Sequence, residues 1–273
     1  MQHKTIAFIG AGNMTKSIIS GLVKNNYPAQ LITASNPSIG KLTDLQSEFA
    51  INITQNNIDA FNAADVIVLA VKPQIMEFLC AQLAKLENVK DKLFVSIAAG
   101  IHSNRLQQML NADVTLVRTM PNTPSALGKG MTGLYANEEV NEENKQFASD
   151  LMSQVGEIIW VQKESMIDNV IAAAGSSPAY FFLFLEAMQK ESELQGFDKK
   201  TARLMVQQAM LGAAEMVCHN PSLELSELRS QVTSKGGTTA KAIESFQQQG
   251  LEQIIARAMQ AAVKRANQMA QQF

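Results

Sequence analysis

Up to about residue 161 the chain alternates short apolar runs with segments of helical periodicity. The runs Thr5–Ile9, Leu31–Ala34, Val66–Val71, Leu93–Ile97, Val114–Arg118, Met131–Tyr135 and Ile158–Val161 predict strands. Between them, Asn13–Asn25, Gln74–Leu86, Ser103–Leu110 and Glu142–Gln154 predict helices. Val66-Ile67-Val68-Leu69-Ala70-Val71 has no polar position at all, as a strand covered on both faces requires. This alternation predicts an α/β domain of βαβ units around a parallel sheet.

After Gln162-Lys163-Glu164 the β-branched runs stop and Ala, Met, Leu and Gln dominate, which predicts an all-α second half. The organisation expected is therefore two domains, 1–161 and 162–273. The uncharged stretch Asn169–Leu185 is interrupted by Gly175-Ser176-Ser177-Pro178 and makes a poor membrane span. It is expected to lie buried between helices, with Tyr180, Phe181, Phe182 and Phe184 in a helix core. Near the end, Leu251, Ile254, Ile255, Ala258, Ala262, Ala266 and Met269 recur along one helical face. Its alanines allow close approach of another helix, either within the chain or across a subunit interface.

Composition narrows the function. Of 273 residues 46% are hydrophobic and 18% charged, enough for a sizeable core, and the net charge of -2 provides no broad basic footprint for nucleic acid or an anionic membrane. Cys80 and Cys218 are far apart with no CxxC spacing, and His3, His102 and His219 are scattered, so neither a disulfide scaffold nor a metal site is expected. A reducing, cytoplasmic location fits, and the amino-terminal residues lack the pattern of an export signal.

The first chemically informative feature is Ile9-Gly10-Ala11-Gly12-Asn13-Met14, where an apolar strand runs into a glycine turn and a helix. Gly10 permits the tight turn, Gly12 lets a pyrophosphate approach the backbone, and the helix start presents free N–H groups to it. A doubly wound, Rossmann-type sheet binding a dinucleotide follows, although strand-to-helix turns without ligands also use glycine. The third motif position is Thr15 rather than Gly or Ala. At the end of the second strand, Ala34-Ser35-Asn36-Pro37-Ser38 lacks the acid that would select NAD, and Lys4, Lys16, Lys24 and Lys41 precede the first carboxylate, Asp44. Ser35, Asn36 and Ser38 suit phosphate oxygens, so NADPH is favoured, with NADH second.

Ala70-Val71-Lys72-Pro73 and Ile97-Ala98-Ala99-Gly100 follow later strands, where a doubly wound sheet places its ligand. Their small residues admit a flat ring or ribose, and Lys72 suits phosphate or plain solvent exposure. Arg118-Thr119-Met120-Pro121-Asn122-Thr123-Pro124 then forms an extended turn at the mouth of the sheet. In the helical half, Ser234-Lys235-Gly236-Gly237-Thr238-Thr239 leads into an amphipathic segment. The backbone N–H groups of Gly237, Thr238 and Thr239 form a cradle for a carboxylate or phosphate, or else Thr238 simply caps the helix.

Together, Gly10-Ala11-Gly12-Asn13-Met14, Ala70-Val71-Lys72-Pro73, Ala98-Ala99-Gly100, Met120-Pro121-Asn122-Thr123-Pro124, Pro178-Ala179-Tyr180 and Gly236-Gly237-Thr238-Thr239 resemble the pyrroline-5-carboxylate reductase family in content and order. The resemblance spans essentially the whole chain. It implies a Rossmann-type domain followed by an all-α dimerisation domain, and NAD(P)H-dependent reduction of 1-pyrroline-5-carboxylate to L-proline. It implies a homodimer or larger oligomer joined through carboxyl-terminal helices, with the active site at that interface. Cofactor contacts would fall on Ile9, Gly10, Ala11, Gly12, Asn13, Met14, Ser35, Asn57, Ala70, Val71, Lys72, Pro73, Ala98 and Ala99. Substrate contacts would fall on Gly237, Thr238 and Thr239, with Thr239 as the catalytic group that bonds the ring nitrogen. Ser177 and Lys235 depart from the family's usual Gly and Pro, and Thr15 from its small residue. Two other readings stay open: an NADP-dependent reductase of the β-hydroxyacid dehydrogenase type, for which no Gly-x-x-x-Asn-x-x-Lys follows residue 161, and a non-enzymatic nucleotide-binding protein.

Overall fold

The computed structural model describes residues 3–137 and 140–272. The first part runs β1 (Ile6–Ile9), α1 (Asn13–Lys24), β2 (Ile32–Ser35), α2 (Ile39–Phe49), β3 (Asn52–Thr54), α3 (Asn57–Asn62), β4 (Val66–Leu69), α4 (Pro73–Leu83), β5 (Leu93–Ser96), α5 (Ser103–Leu110), β6 (Thr115–Met120), β7 (Gly130–Ala136), α6 (Glu142–Ser153), β8 (Gly156–Trp160) and α7 (Met166–Val170). The helices α8 (Ser177–Leu194), α9 (Lys199–His219), α10 (Leu225–Gln231), α11 (Thr238–Gln248) and α12 (Leu251–Gln272) complete it.

The strands form one sheet in the order β3-β2-β1-β4-β5-β6-β7-β8. Because β1 pairs in parallel with β2 on one side and β4 on the other, the winding reverses at β1/β4 and opens a crevice beyond the strand ends. Side chains alternate between two cores: Ile6, Phe8, Val66 and Val68 enter one, while Ala7, Ile9, Ile67 and Leu69 enter the other. That is why these strands carry no polar position. A fully buried side chain of this size contributes about 1.5–3 kcal/mol, so the paired cores hold the crevice walls firmly. Cys80 lies in the second core, and burial pushes its thiol up to about 12. It should therefore resist alkylation at pH ~8 in the native protein and react only after denaturation, as mass spectrometry would show.

Three features depart from the expected pattern. The edge strand β3 and the helices α2 and α3 fall where no element was predicted. β7 runs antiparallel to β6, because the connection Pro121–Lys129 contains only a 3-10 turn, Thr123–Leu127, and is too short for a crossover helix. The compact unit holding the sheet also continues past residue 161, through Ser176, and includes the chain from Ala261 onward. The reason is that α7 packs on β6 and β7, with Val170 2.9 Å from where a Cβ on Gly133 would stand. Similarly, Met269 covers Gly100.

The second unit, Ser177–Gln260, is all helical. Here α8 packs on α9, and the rings of Phe184 and Phe246 lie 6.0 Å apart. The expectation that the aromatic run of α8 sits in a core does not hold within one chain: Phe181, Phe182 and Phe184 are 53%, 65% and 45% exposed. The apolar pattern marks a surface to be covered without specifying by which chain. Ile254 and Ile255 of α12 are likewise about half exposed, whereas Ala266 is buried. By length and composition alone, the stretch Met166–Leu194 is apolar enough to cross a membrane. Its first part is nonetheless committed to the sheet, since Ile167, Asp168 and Val170 are buried there.

Candidate active site

Gly10, just past β1, has φ +114° and donates its N–H to the Ser35 carbonyl at 2.8 Å. A Cβ on it would stand 2.5 Å from the Ala70 carbonyl oxygen, so the turn can lie against the end of β4 only because the residue is glycine. Gly12 is the N-cap of α1 and offers no side chain to the first-turn N–H groups; no acid occupies that turn, and nothing lies within 4 Å of where its Cβ would be. Those amides and the helix dipole make an open anion site. Thr15 is fully buried and donates its hydroxyl to the Gly10 carbonyl at 2.7 Å. The departure at this position thus ties the helix back onto the turn it follows.

Beyond β2, Ser35 is wholly buried and its hydroxyl donates to Oδ1 of Asn57, at the start of α3. It shapes the site from beneath. Asn36 is half-buried; its side-chain oxygen accepts from the Ala11 N–H at 3.4 Å and its amide donates to the Ser38 carbonyl at 3.2 Å. Asn36 therefore links the turns after β1 and β2. Ser38 and Lys41 are exposed, and α2 begins without a side-chain cap or an acid in its first turn. On the other side of the crevice, Lys72 is exposed and precedes α4, with Pro73 fixing the helix start. Ala70, Val71 and Ala99 are half-buried and Ala98 is buried. Since β2, β1, β4 and β5 are adjacent and parallel, residues 35–36, 10–14, 70–73 and 98–99 follow the same edge of the sheet. Of the expected cofactor residues, 10–14, 36, 70–73 and 98–99 are thereby brought to one edge, whereas Ile9 and Ser35 are 0% exposed: Ile9 points into the core and Ser35 supports the site through Asn57 instead of lining it.

The second loop belongs to the helical unit. Gly236 has φ +74°, and Gly237 is the N-cap of α11 with no side-chain cap. Thr238 therefore does not cap the helix: Thr238 and Thr239 are its first two residues, both exposed. A Cβ on Gly237 would meet the Ser234 hydroxyl at 2.7 Å. The result is a second helix start with open N–H groups, flanked by two hydroxyls and by the exposed Lys235.

Sequence reasoning missed a buried ionic cluster beneath the sheet edge. Arg118, 1% exposed, pairs through Nη1 with Glu164 Oε1 at 3.2 Å and through Nη2 with Asp168 Oδ1 at 3.5 Å. Glu164 in turn accepts from the Ser103 N–H at 2.6 Å and from its hydroxyl at 2.7 Å. His102 Nε2 stands 3.9 Å from Asp168 Oδ2. A charged arginine closing the strand expected at Val114–Arg118 was the available signal; its partners lie about fifty residues away in sequence and on other elements.

Residues 164–269 match the family model described as pyrroline-5-carboxylate reductase dimerisation. Residues 5–100 match one described as NADP oxidoreductase, coenzyme F420-dependent. A pyrroline-5-carboxylate reductase of Vibrio alginolyticus is 58% identical, with both chains covered completely. The solved pyrroline-5-carboxylate reductase of Coxiella burnetii superposes with a TM-score of 0.92 at 39% identity, over 98% of this chain and 99% of that one. A Plasmodium falciparum pyrroline carboxylate reductase with NADP bound has a TM-score of 0.87 at 26% identity, over 99% of each chain. With likeness running the full length at 58% identity, the chain belongs to the pyrroline-5-carboxylate reductase family.

Proposed function

We propose that the protein reduces 1-pyrroline-5-carboxylate to L-proline with NADPH, the last step of proline formation. The observation that carries this reading is the Gly10–Gly12 turn at the β1/β4 reversal, open to an anion and walled by Ala70. The solved relative's bound NADP supports the choice of dinucleotide. When bound, NADPH supplies the hydride. The amides opening α1 hold the pyrophosphate, while Asn36, Ser38, Lys41 and the start of α2 receive the 2′-phosphate. NADH, lacking that phosphate, serves less well.

At α11, the N–H groups of Gly237, Thr238 and Thr239 hold the substrate carboxylate, and the Thr239 hydroxyl bonds the ring nitrogen. Protonation of that nitrogen makes the adjacent carbon electrophilic, and fixing the ring's position carries most of the rate enhancement. The reading requires α11 to meet the nicotinamide edge in the assembled enzyme. The exposed aromatic run of α8 and the exposed Ile254 and Ile255 support a homodimer or larger assembly joined through carboxyl-terminal helices. Two free cysteines agree with a cytoplasmic setting.

Mixing the purified protein with NADPH and pyrroline-5-carboxylate should consume both and yield proline. The phosphate contacts are charge-assisted, so kcat/KM with NADPH should exceed that with NADH by about tenfold. NADPH binding without imine turnover would instead favour a nucleotide-binding protein, and turnover of a β-hydroxyacid the other reductase class.

A further inference from the structure

The helix α5 starts five residues beyond Ala98, and His102 at its N-cap position makes no side-chain cap. Its first turn contains no acid. The missing acceptor comes from Glu164, 61 residues further along the chain, whose carboxylate takes both the N–H and the hydroxyl of Ser103 at 2.6 and 2.7 Å. A carboxylate at a helix start satisfies an orphan amide and complements the dipole. Glu164 is only 17% exposed and is itself gripped by Arg118, whose other arm holds Asp168; both of these are 1% exposed. The pair of bonds therefore fixes the far end of the loop Ala98–His102 to the sheet, while Met269 presses on Gly100 at its middle.

Strand order tells what that loop faces. The 2′-phosphate end belongs at β2 and the pyrophosphate at β1/β4, so the remaining half of the dinucleotide extends across the ends of β4 and β5. We propose that Glu164 is a positioning residue for hydride transfer: acting through Ser103, it sets the Ala98–Ile101 loop against which the pyridine ring lies. This inference rests on the cofactor reading above.

The test separates the two halves of the cofactor. Glu164→Ala should raise KM for NADPH by about tenfold, since hydrogen bonds to a charged group are lost. Inhibition by adenosine 2′,5′-bisphosphate, which has no pyridine, should be unchanged. Ser103→Ala should move the NADPH value in the same direction by a smaller factor, and by nothing further once Glu164 is already Ala. Equal weakening of NADPH and the bisphosphate, a lowered melting temperature with NADPH kinetics unchanged, or fully additive effects would each overturn the proposal. Should Glu164→Ala fail to fold, Ser103→Ala alone decides it, because Ser103 is partly exposed and Glu164 stays paired with Arg118. If the unsubstituted protein binds neither nucleotide, the cofactor reading itself has failed, and this inference with it.

Discussion

Gly10→Ala is expected to raise the Kd for NADPH by about 100-fold or more, the strain of a non-glycine residue at positive φ adding to a steric clash. The new methyl would sit 2.5 Å from the Ala70 carbonyl oxygen and 2.8 Å from its carbon, at a residue with φ +114°. Neither atom belongs to a side chain that could rotate away. Relief has to come from opening the turn or from separating β1 from β4, and either movement spoils the cradle proposed for the pyrophosphate. Gly12→Ala is the informative control. Nothing lies within 4 Å of its added methyl, so the fold should be little disturbed, yet the methyl would occupy the approach to the first-turn amides. Nucleotide titration and thermal melting on both variants check this: Gly10→Ala should lose affinity and melting temperature together, and Gly12→Ala mainly affinity.

Thr239→Ala should lower kcat by roughly 100-fold, the usual effect of removing one well-placed hydrogen-bonding group from a reacting centre. Its effect on NADPH affinity should be slight, because Thr239 opens α11 in the unit Ser177–Gln260, whereas the glycine turn belongs to the other unit. Thr239→Ser keeps the hydroxyl and should recover most of the rate. Equal losses of turnover and of NADPH binding in Thr239→Ala would remove the role assigned to this residue. The backbone amides of Gly237, Thr238 and residue 239 survive the change, so the cradle proposed for the substrate carboxylate is retained and KM for the imine should rise less than kcat falls.

Much of the local geometry of the candidate site is legible in the sequence because it is made locally. The turn at Gly10–Met14 announces itself by an apolar strand before it and a helical pattern after it, Ala70–Pro73 likewise follows an apolar strand, and Gly236–Thr239 shows as paired glycines in a polar stretch before an amphipathic helix. What local pattern does not encode was harder to read. β3 has only three residues, Asn52–Thr54, none fully buried, so it lacks the apolar run that marks a central strand. The reversal of β7 depends on the length of Pro121–Lys129 rather than on any residue in the strand. The exposed face of α8 shows that an apolar run predicts burial but not the covering chain. Arg118 stood in plain view, yet its meaning lies in Glu164 and Asp168, which only the folded chain brings to it.

The glycine turn and the threonine pair are proposed to serve one reaction. A crystal structure of the enzyme with NADP+ and L-proline tests this most directly. It should show the proline carboxylate on the amides of Gly237–Thr239, the Thr239 hydroxyl on the ring nitrogen, and the pyridine ring between that proline and the Ala98–Ala99 loop. A structure in which the nucleotide and α11 open onto separate clefts, both within a subunit and between subunits, would contradict it.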